Sequence, residues 1–551
     1  MRLVTIPLAG QMYSRKTQSG LDQIFTNVIF DEVIDSVSQS KSIWINKRGG
    51  LTQLYATVGT VSGVGIWASP SYTQKDAQTY KTTYAFDNGN VYVDNTLVGS
   101  LGTNAIALHF SETVINSEIV VLITSLTTAG ANEGWFVPFD AVTGLTFTGD
   151  THTNTTIDNV SSLTGLYVGQ LITGTGIQAN TRIATITSPS TITTTIATTA
   201  TASITVTRSA LAKIISANFP SDMTGALIPL NGYIFVMTVR GRIYNSGLNT
   251  AVTWAADSYV PADSKTDIGI GCVSYKGLLL GFGATTLDVF RITGNQSGSV
   301  LTREMGIQVD EGAAFAEQAS PFGRKKAAII QAHDTVFWVS NSLNIYKLDG
   351  FSPVNISKSL SLYINGIPAS VDAITYSGKR IVIFTGAGSG GGDCVWYQPD
   401  ENLWSDQNFI SGSRFFFSEA FGVVYVIGYT DGKVYTLSRY DSSNFRDDTN
   451  SYSGIVQIEP KYLNDGMGFL INRIDLIATT QSSGTATVNL YTGDNNLGSI
   501  NAAITIDMTA KQKRGHRCGL YRSCVQPYVS HSADTAFRAQ ALKMLIEPCP
   551  R

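Results

Sequence analysis

Charge is scarce in this chain. Asp, Glu, Lys and Arg make up 14% of its 551 residues, and the formal net charge is -3. That balance assembles no basic face, which excludes a tight grip on DNA through phosphate neutralisation. Cysteine is scarce too. Five cysteines (Cys272, Cys394, Cys518, Cys524 and Cys549) are too few and odd in number for a disulfide framework, and they fit a reducing compartment. No apolar run approaches the roughly 18 residues of a membrane span. The opening "MRLVTIPLAG" is broken at Pro7, too early for the apolar region of a signal peptide. The expectation is synthesis in a cytoplasm and no membrane-spanning segment. Helical periodicity is nearly missing, and only "AAFAEQA" (313–319) and residues 21–30 read as short helices.

Short alternating or β-branched runs, cut by Gly, Asn, Asp and Ser, are what the chain has instead. Examples are "YIFVMTV" (233–239), "TVFWVS" (335–340), "RIVIFTG" (380–386) and "VVYVIGY" (423–429). This is strand-and-turn patterning, and at 43% hydrophobic the chain is not a disordered one. A loose repeat of turn, apolar strand and G-x-I/V-Y begins at Asn231, Tyr275, His333, Tyr376 and Phe421. The starts lie about 45 residues apart with one longer gap, close to the period of propeller blades. "NGNVYVDNTLVGSL" (88–101) reads as an earlier blade hairpin, and Trp254 and Trp404 as anchors between blades.

Two regions break the pattern. In residues 145–207 one residue in three is threonine, and the charged residues are only Asp150, Asp158 and Arg182. Threonine is β-branched and suits exposed strands, so this reads as an inserted β domain. Its "GLYVGQLITGTGI" core resembles threonine-rich modules inserted in phage tail and bacterial surface proteins. After residue 450 the strands lengthen, as in "INRIDLIATT" and "ALKMLIEP", which suggests a β-sandwich. The expected fold is therefore all-β. Residues 1–144 hold an N-terminal arm and the first blades, 145–207 the insertion, 208–450 the remaining blades, and 451–551 a sandwich-like region.

In "LLLGFGATTLDVFRITGN" (278–295), Gly281 and Gly283 make only G-x-G, without the third glycine or the helix of a dinucleotide site. Asp288 and Arg291 are three apart and point to opposite faces of a strand. The stretch reads as a hairpin. The acids Asp263, Asp267, Asp288, Asp310, Glu311, Asp431 and Asp441 sit in no glycosidase motif, although such enzymes need two carboxylates across a sugar. His516, Cys518, Cys524 and His531 lack the close cysteine pairs of a structural zinc site. "GAGSGGGD" (386–393) lacks the Lys-Ser/Thr of a phosphate loop, and "GRKK" (323–326) reads as a solvated basic loop. No catalytic residue, metal or cofactor is assigned, and the chain is read as a non-enzyme.

The order of elements is more specific than any one of them. "IPLAGQMYSRKTQSGLDQ" is followed by "GRIYNSG", "TLDVFRITG" (286–294), "IYKLDGFSPVNIS" (345–357), "WYQPDENLWSD", "DGKVYTLS" and "RGHRCGLYRSCVQPYVS". This succession resembles the tail hub, or nozzle, proteins of short-tailed phages, also called packaged-DNA stabilisation proteins. It covers most of residues 1–144 and 208–551. Asp288 stands where the family pattern has a Glu-type acid, and the threonine-rich insertion is extra. The resemblance implies a virion protein made in the host cytoplasm. Its partners would be copies of itself in a ring (hexameric in that family), a portal or adaptor above, a needle or plug below, and a tail fibre or tailspike. DNA would pass without sequence-specific binding, as the packaged genome is retained and then conducted. Asp288, Arg291, Arg324, Lys325 and Lys326 are the candidate contacts to neighbouring blades or subunits. The alternative is a receptor-binding or glycan-processing propeller.

Overall fold

A computed structural model gives the architecture. It describes the chain except residues 10–23, 35–39, 57–60, 71–80, 103–104, 116–117, 127–131, 139–144, 188, 263, 296–297, 318–324, 359–367, 369, 387–393, 410–413, 459–468, 492–502, 512–513, 517–519, 522–523 and 549–551. The described residues form an all-β protein and contain no helix. Both segments read as helical are corrected. Phe315–Glu317 and Ile24–Thr26 are strands, because each finds a ladder partner elsewhere in the fold, which outweighs weak local propensity.

Among the described residues, seven antiparallel blades are arranged in a closed ring. They span residues 63–100, 106–138 with 202–213, 223–261, 269–309, 329–355, 370–407, and 415–437. The seventh blade takes its fourth strand from Leu51–Tyr55, so an early segment closes the ring by pairing with Val434–Leu437. Each innermost strand neighbours the next, and Phe415–Ala420 returns to Gly63–Ala68. Seven apolar cores lie between successive blades, as this stacking requires. Trp254 packs with Phe136 and Ile214 against blade 2, and Trp404 packs with Phe337 and Val339 of blade 5. Burying one such large side chain contributes about 1.5–3 kcal/mol, and no single blade could bury both its faces alone.

The sequence repeat has a backbone cause. In five blades the first two strands are joined by a two-residue turn with both residues at positive φ. Asn231–Gly232 has φ of 49° and 79°, Ser377–Gly378 has 52° and 80°, and Phe421–Gly422 has 52° and 78°. Lys276–Gly277 and His333–Asp334 repeat the geometry. These are primed hairpin turns, whose twist matches the flanking strands. Each repeat start in the sequence is thus a turn at one face of the ring.

The threonine-rich insertion leaves blade 2 after its third strand. It re-enters along Ala202–Lys213, which pairs with Thr146–Thr151 inside the insertion and with Trp135–Phe136 in the blade. Its own small core gathers Phe147, Ile157, Ile172, Ile183, Ile192 and Val206. The C-terminal strands form a sandwich, and the N-terminal strands Arg2–Pro7, Val28–Ile34 and Lys41–Lys47 belong to it rather than to the blades. Ile24–Thr26 bridges the outer strand of blade 6 and the sandwich strand Gly454–Gln457. One nine-stranded sheet therefore runs from the propeller into the sandwich.

Candidate functional site

The blades converge on a central channel of about 720 Å3, lined by the innermost strands of all seven. That volume is in the range of small-molecule cavities. Its polar groups come from different blades. Glu112 lies on blade 2 and accepts a hydrogen bond from Trp67 Nε1 of blade 1 at 3.2 Å. Asp372 on blade 6 accepts the Ser370 hydroxyl at 3.0 Å and the Phe417 N–H at 3.3 Å. Glu419 on blade 7 accepts the Gly422 N–H at 2.7 Å. His333 Nε2 donates to the Ile381 carbonyl at 3.2 Å.

His109, from blade 2, is buried, and its Nε2 accepts the Ala327 N–H at 3.2 Å, which places its proton on Nδ1. Burial, with the nearby Lys326 ammonium, holds its pKa well below the ordinary value. Burial lowers the Lys326 pKa, partly opposed by Asp372, and raises that of the Asp372 carboxyl. Burial also pushes the Cys272 thiol up to about 12, so it is an inert wall group. Each carboxylate in the channel accepts a hydrogen bond from its own chain. This suits them to fixing blades in place.

The residues singled out in the sequence are dispersed. Asp288 is 1% exposed, with its Oδ1 3.0 Å from Arg303 Nη2 and its Oδ2 accepting the Ser264 N–H at 3.3 Å. It contacts the connection from the preceding blade, and its burial denies it to a neighbouring subunit. Arg291 lies on the opposite face and pairs with Glu304 at 2.8 Å. Arg324 is outside the described residues. Lys325 pairs through its backbone with Glu317. Lys326 turns into the channel, its ammonium 5.6 Å from the Phe416 ring centroid, so it is corrected from a surface contact to an interior one. The stretch 278–295 contains a hairpin, Leu278–Gly283 paired with Leu287–Ile292. Gly283 is needed for close approach: a Cβ there would lie 2.2 Å from Asp267 Oδ1. The Asp267 carboxylate in turn accepts the Thr285 N–H at 2.7 Å and caps the turn.

Among the other acids, Asp310 pairs with Lys265 and Asp441 with Arg439, while Asp431 accepts the Lys433 N–H. Asp263 is outside the described residues. None of these lines the channel. The acids that do, Glu112, Asp372 and Glu419, carry no local sequence signal beyond lying on apolar strands. Cys524 and His531 are both buried, whereas Cys518 is outside the described residues. No group of three or more His, Cys, Asp or Glu side chains is placed to hold a metal among the described residues.

No family model matches the chain, and no curated protein matches it. Some solved structures are similar to it at a distance. BamB from Moraxella catarrhalis is 11% identical, with a TM-score of 0.33, over 70% of this chain and 99% of that one. Sqt1 from Chaetomium thermophilum is 10% identical, with a TM-score of 0.34, over 69% and 97%. Trypanosoma rangeli sialidase is 8% identical, with a TM-score of 0.27, over 98% and 96%. Likenesses this remote say nothing of activity.

Proposed function

We propose that the chain is a structural component of a short-tailed phage tail. It would form a ring below the portal or adaptor that continues the path of the DNA. The observation that carries this reading is the continuity of propeller and sandwich through one nine-stranded sheet. A part that transmits load between tail components needs such a joint. The ordered motifs from "TLDVFRITG" to "IYKLDGFSPVNIS" add the resemblance to tail hubs. A net charge of -3 adds a wall with little counterion release to hold DNA. In the proposed ring the DNA path is the centre of the oligomer. The 720 Å3 channel within one propeller has the volume of a small-molecule cavity.

The test is electron microscopy of the purified protein and of virions. A closed ring in solution, found again between portal and tail tip, is expected. A strictly monomeric protein absent from virions overturns the reading. Glycan processing is the second reading, favoured by Trp67 beside Glu112 in the channel. Sugar release abolished by Glu112→Gln would establish it in place of the first.

A further inference from the structure

We propose that copies of this chain join head to tail, the outer face of one copy's sandwich seated on the rim of blade 3 of the next, with Lys543 of the first paired to Asp257 of the second. The inference rests on the ring reading above and names the contact that would build it.

Charge is divided between two parts of the fold. The sandwich regions, residues 1–50 and 451–551, carry 16 Lys and Arg against 11 Asp and Glu. The propeller and insertion, residues 51–450, carry 22 against 30. A net charge of -3 therefore conceals +5 on one part and -8 on the other. Opposite potentials steer two surfaces together and suppress the pairing of like with like. The two parts also lie at different ends of the molecule. The sandwich is joined to the outer strand of blade 6 through Ile24–Thr26, and blade 3 lies across the ring from blade 6. A contact between two different surfaces is heterologous, so it passes from copy to copy and can close into a ring.

Each end presents exposed apolar groups around one unpaired charge. On the sandwich, Arg2–Pro7 pairs with Arg538–Pro548, which sets Leu3 opposite Leu545 and Thr5 opposite Lys543. Ile6, Leu542 and Met544 turn into the core, so by strand alternation Leu3, Lys543 and Leu545 face away from it. Leu3 is 53% exposed. Lys543 has no hydrogen-bond or ion-pair partner among the described residues, and its cross-strand neighbour Asp475 is bonded to Arg473 at 3.0 Å. On blade 3, Trp254–Pro261 is the last strand of its sheet. Ser246 lies opposite Trp254 and Tyr244 opposite Tyr259, so residues 255–258 leave the ladder as a bulge. Ala255, Ala256 and Asp257 are exposed on that bulge, and Leu248 on the loop before the strand is 58% exposed. Asp257 likewise has no partner among the described residues. Contact would bury the apolar groups, which supply area, while the Lys–Asp pair supplies register.

The experiment uses the full-length chain and follows assembly by analytical ultracentrifugation and electron microscopy. Lys543→Asp and Asp257→Lys should each weaken the contact between copies about tenfold or more, since each sets like charges together. The double reversal restores an opposite pair and should return assembly to within about threefold of the parent. Thermal melting checks that each variant is folded. If a reversal does not fold, Lys543→Gln or Asp257→Asn takes its place and should still weaken assembly. Folded single variants that assemble as the parent does, or a double reversal that recovers nothing, overturn the contact and leave the ring reading intact. A parent chain that stays monomeric overturns the ring reading and the contact with it.

Discussion

The joint between propeller and sandwich depends on one buried cation. Arg48 is fully buried and Asp447 is 2% exposed. Arg48 Nη1 and Nη2 donate to the two Asp447 oxygens at 2.8 and 2.6 Å. The same guanidinium donates to the carbonyls of Gly49 and Asn408 and, at 3.4 Å, to the Asn27 side chain. The rings of Phe409 and Tyr452 lie on it, each centroid 4.0 Å from Cζ. Burial works against its charge, but Asp447, Tyr452 and Tyr376 outweigh burial, so its pKa is raised. Removing one partner leaves the other charge desolvated without compensation, which costs about 3–5 kcal/mol. Asp447→Ala and Arg48→Met should each destabilise by that amount. Arg48→Lys should recover little, since an ammonium cannot replace the bidentate fork. The double variant Arg48→Met, Asp447→Leu should be less destabilised than either single one, because no lone charge remains. Denaturant midpoints followed by tryptophan fluorescence measure this. Hydrogen exchange at Leu51, whose N–H donates to Asp447 Oδ1, localises it. Single variants costing under about 1 kcal/mol would refute the argument that the pair is desolvated.

Three further outcomes are expected. Burial, reinforced by Lys47, lowers the pKa of His531 from 6.5 to about 4. Since the folded value lies below the unfolded one, its contribution is complete above pH 6.5, falls as the pH drops toward 4 and then levels, a loss of about 3 kcal/mol that His531→Phe should abolish in a stability–pH curve. Leu51 is fully buried in the strand that closes the ring, so Leu51→Ala should cost about 2–5 kcal/mol in denaturant unfolding. Ser377→Asn should stabilise by about 0.5–1 kcal/mol in the same assay, because asparagine tolerates the φ of 52° that serine holds there.

Much of the fold was legible because its signals are local. The repeat beginning at Asn231, Tyr376 and Phe421 marked the turns, since a primed turn constrains residue type within two positions. The longer interval after Tyr275 holds the extra strand pair Phe315–Glu317 and Lys325–Ala327, where the sequence suggested a short helix and a solvated basic loop, and only the fold places Lys326 at the channel. Residues 313–319 and 21–30 misled because short segments are decided by their ladder partners. The channel groups were illegible for a related reason. His109 and Asp372, from separate blades, meet Lys326, from the strand pair between blades 4 and 5, and no spacing in the chain encodes that meeting.

The sequence by itself determined the strand class, the blade period, the threonine-rich insertion and the change of character after residue 450. These follow from patterning over a few neighbouring residues. Only the tertiary structure decided the number of blades, the recruitment of Leu51–Tyr55 to close the ring, and the inclusion of the N-terminal strands in the sandwich. It also turned Asp288 inward and set Arg48 against Asp447 across 399 residues. Those outcomes depend on which apolar faces meet when the ring closes, and burial of those faces is a property of the whole chain.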